Sequence, residues 1–167
     1  DIDSAEVYYR RALNADSLLA QAHNNLAVAL YKDGRAEAAI AAFDKAVSLD
    51  PMYSTAFYNR GVAFGHTGRL ERAMKDFSKT ITLDEGYARA YIERAAVKFQ
   101  IGRFKDAVPD FDAAVRLEPR SAVRWALWRH VVGSRTTDEL VPVLAEFAGA
   151  ADLAEWPGIL VALFLDE

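Results

Sequence analysis

A chain of 167 residues that is 52% hydrophobic and 26% charged has the composition of a folded domain, not of a disordered tract. Its net charge of −4 excludes nucleic acid as the natural partner, because phosphate binding draws on an excess of lysine and arginine on one face. The absence of cysteine excludes disulfides and cysteine-held metal, and the apolar run at residues 159–165 falls far short of the roughly 18 residues that span a bilayer.

The chain opens on Asp1 rather than Met, which fits a fragment or processed form, and residues 3–15 have the pattern of a helix. The next three segments repeat. Helices are expected over 20–33 and 36–49, over 54–67 and 70–83, and over 88–101 and 104–117. The evidence is a set of columns spaced by 34 residues: Ala27, Gly61 and Ala95; Gly34, Gly68 and Gly102; Ala39, Ala73 and Ala107; Phe43, Phe77 and Phe111; Leu49, Leu83 and Leu117. Pro51 and Pro119 stand two periods apart, with Glu85 between them. A fixed period of this length is the mark of a stacked helical array. Its columns have a physical reading. Small residues let paired helices approach, aromatics fill the space between repeats, and each glycine closes a first helix in the left-handed conformation that glycine alone adopts cheaply.

Carried backward by one period, Ala39, Phe43 and Ala46 become Ala5, Tyr9 and Ala12. Residues 1–19 are therefore expected to be the second helix of a repeat whose first helix is missing. Full repeats follow at 20–53, 54–87 and 88–121. Beyond them, residues 122–132 with Trp125 and Trp128 read as the first helix of a degenerate unit. Thr137 then caps a helix to about Phe147, and Trp156-Pro157-Gly158 opens a last helix ending at Leu165. That tail, 122–167, would be a helical cap.

The residues His23, Leu26, Ala27, Leu30, Ala39, Phe43, Ala46 and Pro51, and their equivalents in the next two repeats, resemble the tetratricopeptide-repeat (TPR) family. Departures are His23 for the usual Trp, Arg60 and Arg94 for Leu, Lys98 for Tyr, and Glu85 for Pro. The resemblance implies an all-α, right-handed superhelical solenoid of antiparallel helix pairs. The tail is similar to that of bacterial envelope TPR lipoproteins of the NlpI type, which would imply a periplasmic or outer-membrane adaptor. Without that likeness the cytoplasm is equally open.

No metal-ligand spacing, nucleophile motif or phosphate loop occurs, so no catalysis, cofactor or small-molecule substrate is expected. The expected partner is a protein or peptide held in the concave groove that the first helices line in this family. By repeat position the candidate groove residues are Asn24, Asn25 and Tyr31, then Tyr58, Asn59 and His66, then Arg89, Glu93 and Gln100. Asn25 and Asn59 are equivalent, and family members that bind extended peptides carry asparagine there. The carboxylate clamp of chaperone-binding members is not reproduced: the matching positions hold Asn24, Val28, Asn59, Arg89 and Glu93, and Glu93 would repel a terminal carboxylate. His66, at a helix end, could serve the helix dipole or face a ligand. Two alternatives stand beside the scaffold reading: a self-assembling module that pairs weakly through the apolar N-terminal edge, with Ile2, Val7, Tyr8 and Leu13, and a regulatory array of a larger enzyme.

Overall fold

A computed structural model describes residues 20–118. They form six α-helices: α1 (Ala20–Lys32), α2 (Ala36–Leu49), α3 (Ser54–His66), α4 (Leu70–Leu83), α5 (Ala88–Gln100) and α6 (Phe104–Leu117). No strand occurs among the described residues. The all-α helix-pair architecture is the expected one, and each helix ends within a residue of the boundary set by the 34-residue spacing. The expected helix over 3–15, the apolar N-terminal edge, the degenerate unit with Trp125 and Trp128, and the cap to Leu165 all lie outside the described residues.

Two compact units divide the chain at Asp84 and Glu85. In the first, α1 pairs with α2, α3 pairs with α4, and α2 packs on α3. In the second, α5 pairs with α6. Each pair turns through the same closure. Gly34, Gly68 and Gly102 sit at φ of 77°, 72° and 77°, two residues past the end of their helices. The following arginine N–H then reaches back five residues, as in Arg35 N–H to the Leu30 carbonyl at 2.9 Å and Arg69 N–H to the Phe64 carbonyl at 2.8 Å. This satisfies carbonyls that the helix end would otherwise leave open.

The small columns do what close pairing requires. Ala27, Ala39 and Ala73 are wholly buried in the first unit, as are Ala95 and Ala107 in the second. Gly61 is tighter still: a Cβ there would lie 2.8 Å from Cε1 of Phe77 and 3.2 Å from Cβ of Asp76. Phe77 itself is fully buried, so α3 meets α4 across a contact that only glycine fits. Between repeats, Tyr53 and Phe57 pack on Ala46, Val47 and Ala56.

The departures at Arg60, Arg94 and Lys98 have a shared cause. Arg60 donates two hydrogen bonds to Asp76, each 2.7 Å, and a third to Asp44 at 2.7 Å. Arg94 donates to Asp110 at 2.9 and 2.6 Å, and Lys98 joins at 2.7 Å. The first repeat holds Leu26 and Ala42 in the columns that hold Arg60 and Asp76 in the second and Arg94 and Asp110 in the third. An apolar pair has been exchanged, both members together, for a bidentate ion pair. Burial works against the Arg60 charge, but its pairing with Asp76 and Asp44 outweighs this and raises its pKa. Burial pushes the Asp76 carboxyl up from 3.8, and Arg60 only partly offsets it.

A candidate peptide groove on the first helices

Two polar links join α1 to α3, Asn24 with Asn59 and Tyr31 with His66, each between residues 35 apart. Asn59 Nδ2 donates to Asn24 Oδ1 at 3.0 Å, and within α1 Asn24 Nδ2 donates to Asn25 Oδ1 at 3.4 Å. Near the helix ends, the Tyr31 hydroxyl hydrogen-bonds to Nδ1 of His66, with the rings 5.6 Å apart and tilted by 36°. The spacing is physical: one repeat is 34 residues, and one further step brings neighbouring first helices into side-chain register.

Of the residues that the sequence points to, five are therefore linked across α1 and α3 of the first unit: Asn24, Asn25, Tyr31, Asn59 and His66. Asn24 is only 4% exposed and serves as the middle of the amide relay. Asn25 and Asn59 are half-buried. Tyr58, also half-buried, leans on Phe77 of α4 with ring centroids 5.9 Å apart. His66 keeps an exposed edge, yet burial against its neighbours lowers its pKa from 6.5. Its neutral ring is thus the favoured form, which suits an acceptor for Tyr31 better than a cation for the helix dipole. Arg89, Glu93 and Gln100 lie on α5 of the second unit: Arg89 and Gln100 are exposed, whereas Glu93 is buried, 7% exposed. His23, in the usual tryptophan column, is half-buried.

A model described as TPR repeat matches residues 29–68, and one described as tetratricopeptide repeat matches 54–87 and 88–121. Together they cover 29–121, more than half of the chain. The chain belongs to the tetratricopeptide-repeat family. Solved structures agree on the TPR fold. One crystal structure of MamA protein is 26% identical, with a TM-score of 0.66 over 72% of this chain and 66% of that one. Another of MamA is 24% identical, with a TM-score of 0.76 over 85% and 84%. The first TPR of Spaghetti (RPAP3), bound to the HSP90 peptide SRMEEVD, is 23% identical, with a TM-score of 0.60 over 66% and 93%. A search of curated proteins finds no significant match.

Sequence reasoning missed the Arg–Asp pairs and the relay through Asn24. The first had a signal, because the two columns change together. The second had none, because one asparagine on a helix face looks like another until the neighbouring helix is in place.

Proposed function

We propose that this TPR array is a protein-interaction module that holds an extended peptide segment along α1 and α3. The observation that carries the reading is the amide relay. It occupies the Asn25 oxygen and one Asn59 hydrogen. The Asn25 amide hydrogens and the Asn59 oxygen are left to meet a carbonyl and an N–H of a peptide backbone. A relay also fixes which end of each amide faces which way, so little ordering is left for the moment of binding. Tyr31 and Tyr58 supply amphipathic contact area beside it.

The candidate residues of α1 and α3 include no carboxylate, lysine or arginine, so the segment we assign to this face is uncharged. RPAP3 supplies the precedent that this fold accommodates a peptide. The reading assigns binding alone, gives no residue a catalytic role, and makes the chain an adaptor for a partner's peptide or loop. A peptide selected on the wild-type chain from a random library tests it. Asn25→Ala with Asn59→Ala should weaken that peptide by about 1–3 kcal/mol, as expected for two hydrogen bonds, with helical circular dichroism unchanged. Equal affinity in the double variant would remove the groove from the account.

A further inference from the structure

On the opposite pair of helices in the first unit, α2 and α4 flank an open cleft of 790 Å³. Its lining is mostly charged, with two apolar residues, Ile40 only 5% exposed and Ala41 exposed beside it. The carboxylates on the α2 side are already engaged. Glu37 pairs with Arg69 at 2.7 Å, and Asp44 pairs with Arg60 at 2.7 Å. Glu71 is the one further acid of the lining and sits in the first turn of α4, where the helix dipole favours it.

The cations on the α4 side are in a different condition. Arg72 and Lys75 line the cleft, Lys79 continues the row one turn on, and none makes an ion pair among the described residues. Two are held in place by rings instead. The Arg72 guanidinium lies 5.6 Å over Phe64, and the Lys79 ammonium lies 5.9 Å over Phe57. A ring face orients a cation without neutralising it, so the charge stays available to a ligand. In a chain of net charge −4, this leaves three cations without an ion pair against the one such acid, Glu71, beside Ile40 and Ala41.

We propose that the α2–α4 cleft is a second docking surface, distinct from the α1–α3 groove, for an acidic peptide segment. Carboxylates of the segment pair with Arg72 and Lys75, and a small apolar side chain rests on Ile40 and Ala41. An extended nucleic acid is disfavoured, because the three cations form a short row and Glu71 stands among them. An anionic membrane is disfavoured because the apolar lining is a buried Ile40 and the small Ala41, with no large projecting side chain to insert.

The test uses the full chain and a fluorescein-labelled, C-amidated heptapeptide of glutamates around one leucine. Expected are saturable binding that weakens with salt and at least about a tenfold loss in Arg72→Glu with Lys75→Glu, at unchanged helical circular dichroism. Lys75→Glu alone, at an exposed position, should give part of that loss and guards against misfolding of the double variant. Asn25→Ala with Asn59→Ala should leave the glutamate peptide unaffected. The proposal is overturned if the wild type does not bind, or if charge reversal leaves binding unchanged. It is equally overturned if single-stranded DNA or phosphatidylserine vesicles bind as tightly, with the same loss on charge reversal.

Discussion

Removing Asp76 while leaving Arg60 should cost far more than removing both. The Asp76 side chain is 7% exposed and that of Arg60 is 16% exposed, so Asp76→Ala strips the inner partner from a largely desolvated guanidinium. Breaking a buried pair in this way costs about 3–5 kcal/mol. Arg60 keeps Asp44 at 2.7 Å on its outer side, and Asp44 is 55% exposed. The loss should therefore fall at or just below the bottom of that range, about 2–3 kcal/mol, or roughly 4–12 °C in midpoint for a chain of this size. Arg60→Leu with Asp76→Ala recreates the pair that the first repeat already carries, Leu26 with Ala42. Replacing both charges with apolar groups is close to neutral when the desolvation cost matches the attraction. The raised pKa of Asp76 shows the burial cost of its charge exceeding what Arg60 returns, so the apolar replacement gives up little. The double variant should then lie within about 1 kcal/mol of wild type. Urea unfolding of the four proteins of the cycle measures the coupling. A loss below about 0.5 kcal/mol for Asp76→Ala would refute the argument, as would a double variant as unstable as the two single losses added together.

Two further outcomes follow from the same packing. Gly61→Ala gains up to about 1 kcal/mol of helix propensity but drives a methyl into the buried Phe77 ring, which costs about 1–3 kcal/mol. Its thermal midpoint should fall, and Phe77→Leu in the same chain should recover part of the loss; a higher midpoint for Gly61→Ala would mean that α3 and α4 are not so close. For His66, the pKa in the folded chain lies below the ordinary 6.5, so folding disfavours the protonated ring. The stability this contributes is complete above about pH 6.5 and is lost as pH falls through that value toward the folded pKa. Melts at a series of pH values should show a shallower acid decline for His66→Gln than for wild type, and identical slopes would remove the Tyr31–His66 link from the stability account.

The fold was legible because a repeat states its packing several times over. Gly34, Gly68 and Gly102 give the helix ends, and Ala39, Ala73 and Ala107 give the close contact, each as three witnesses to one geometry. The departures were harder to interpret singly. Arg60 in a leucine column looks like a defect until Asp76 is seen to have replaced an alanine 16 residues on. Groove residues were legible as positions but not as states. The sequence placed Asn24, Asn25 and Asn59 on first helices without revealing that Asn24 is buried and holds the other two. His66 was read from its helix end, whereas its ring environment depends on Tyr31 of the preceding repeat. The α2–α4 cleft escaped notice because its lining comes from helices whose exposed faces read as ordinary solvated surface.

The claim that α1 and α3 form the peptide site is tested most directly by amide chemical-shift mapping of the 15N-labelled chain. The titrant would be a library-selected uncharged peptide. The account predicts perturbations, including side-chain amide signals, concentrated at Asn25, Tyr31, Tyr58 and Asn59. Shifts confined to α2 and α4, with the Asn25 and Asn59 side-chain amides unmoved at saturation, would contradict it.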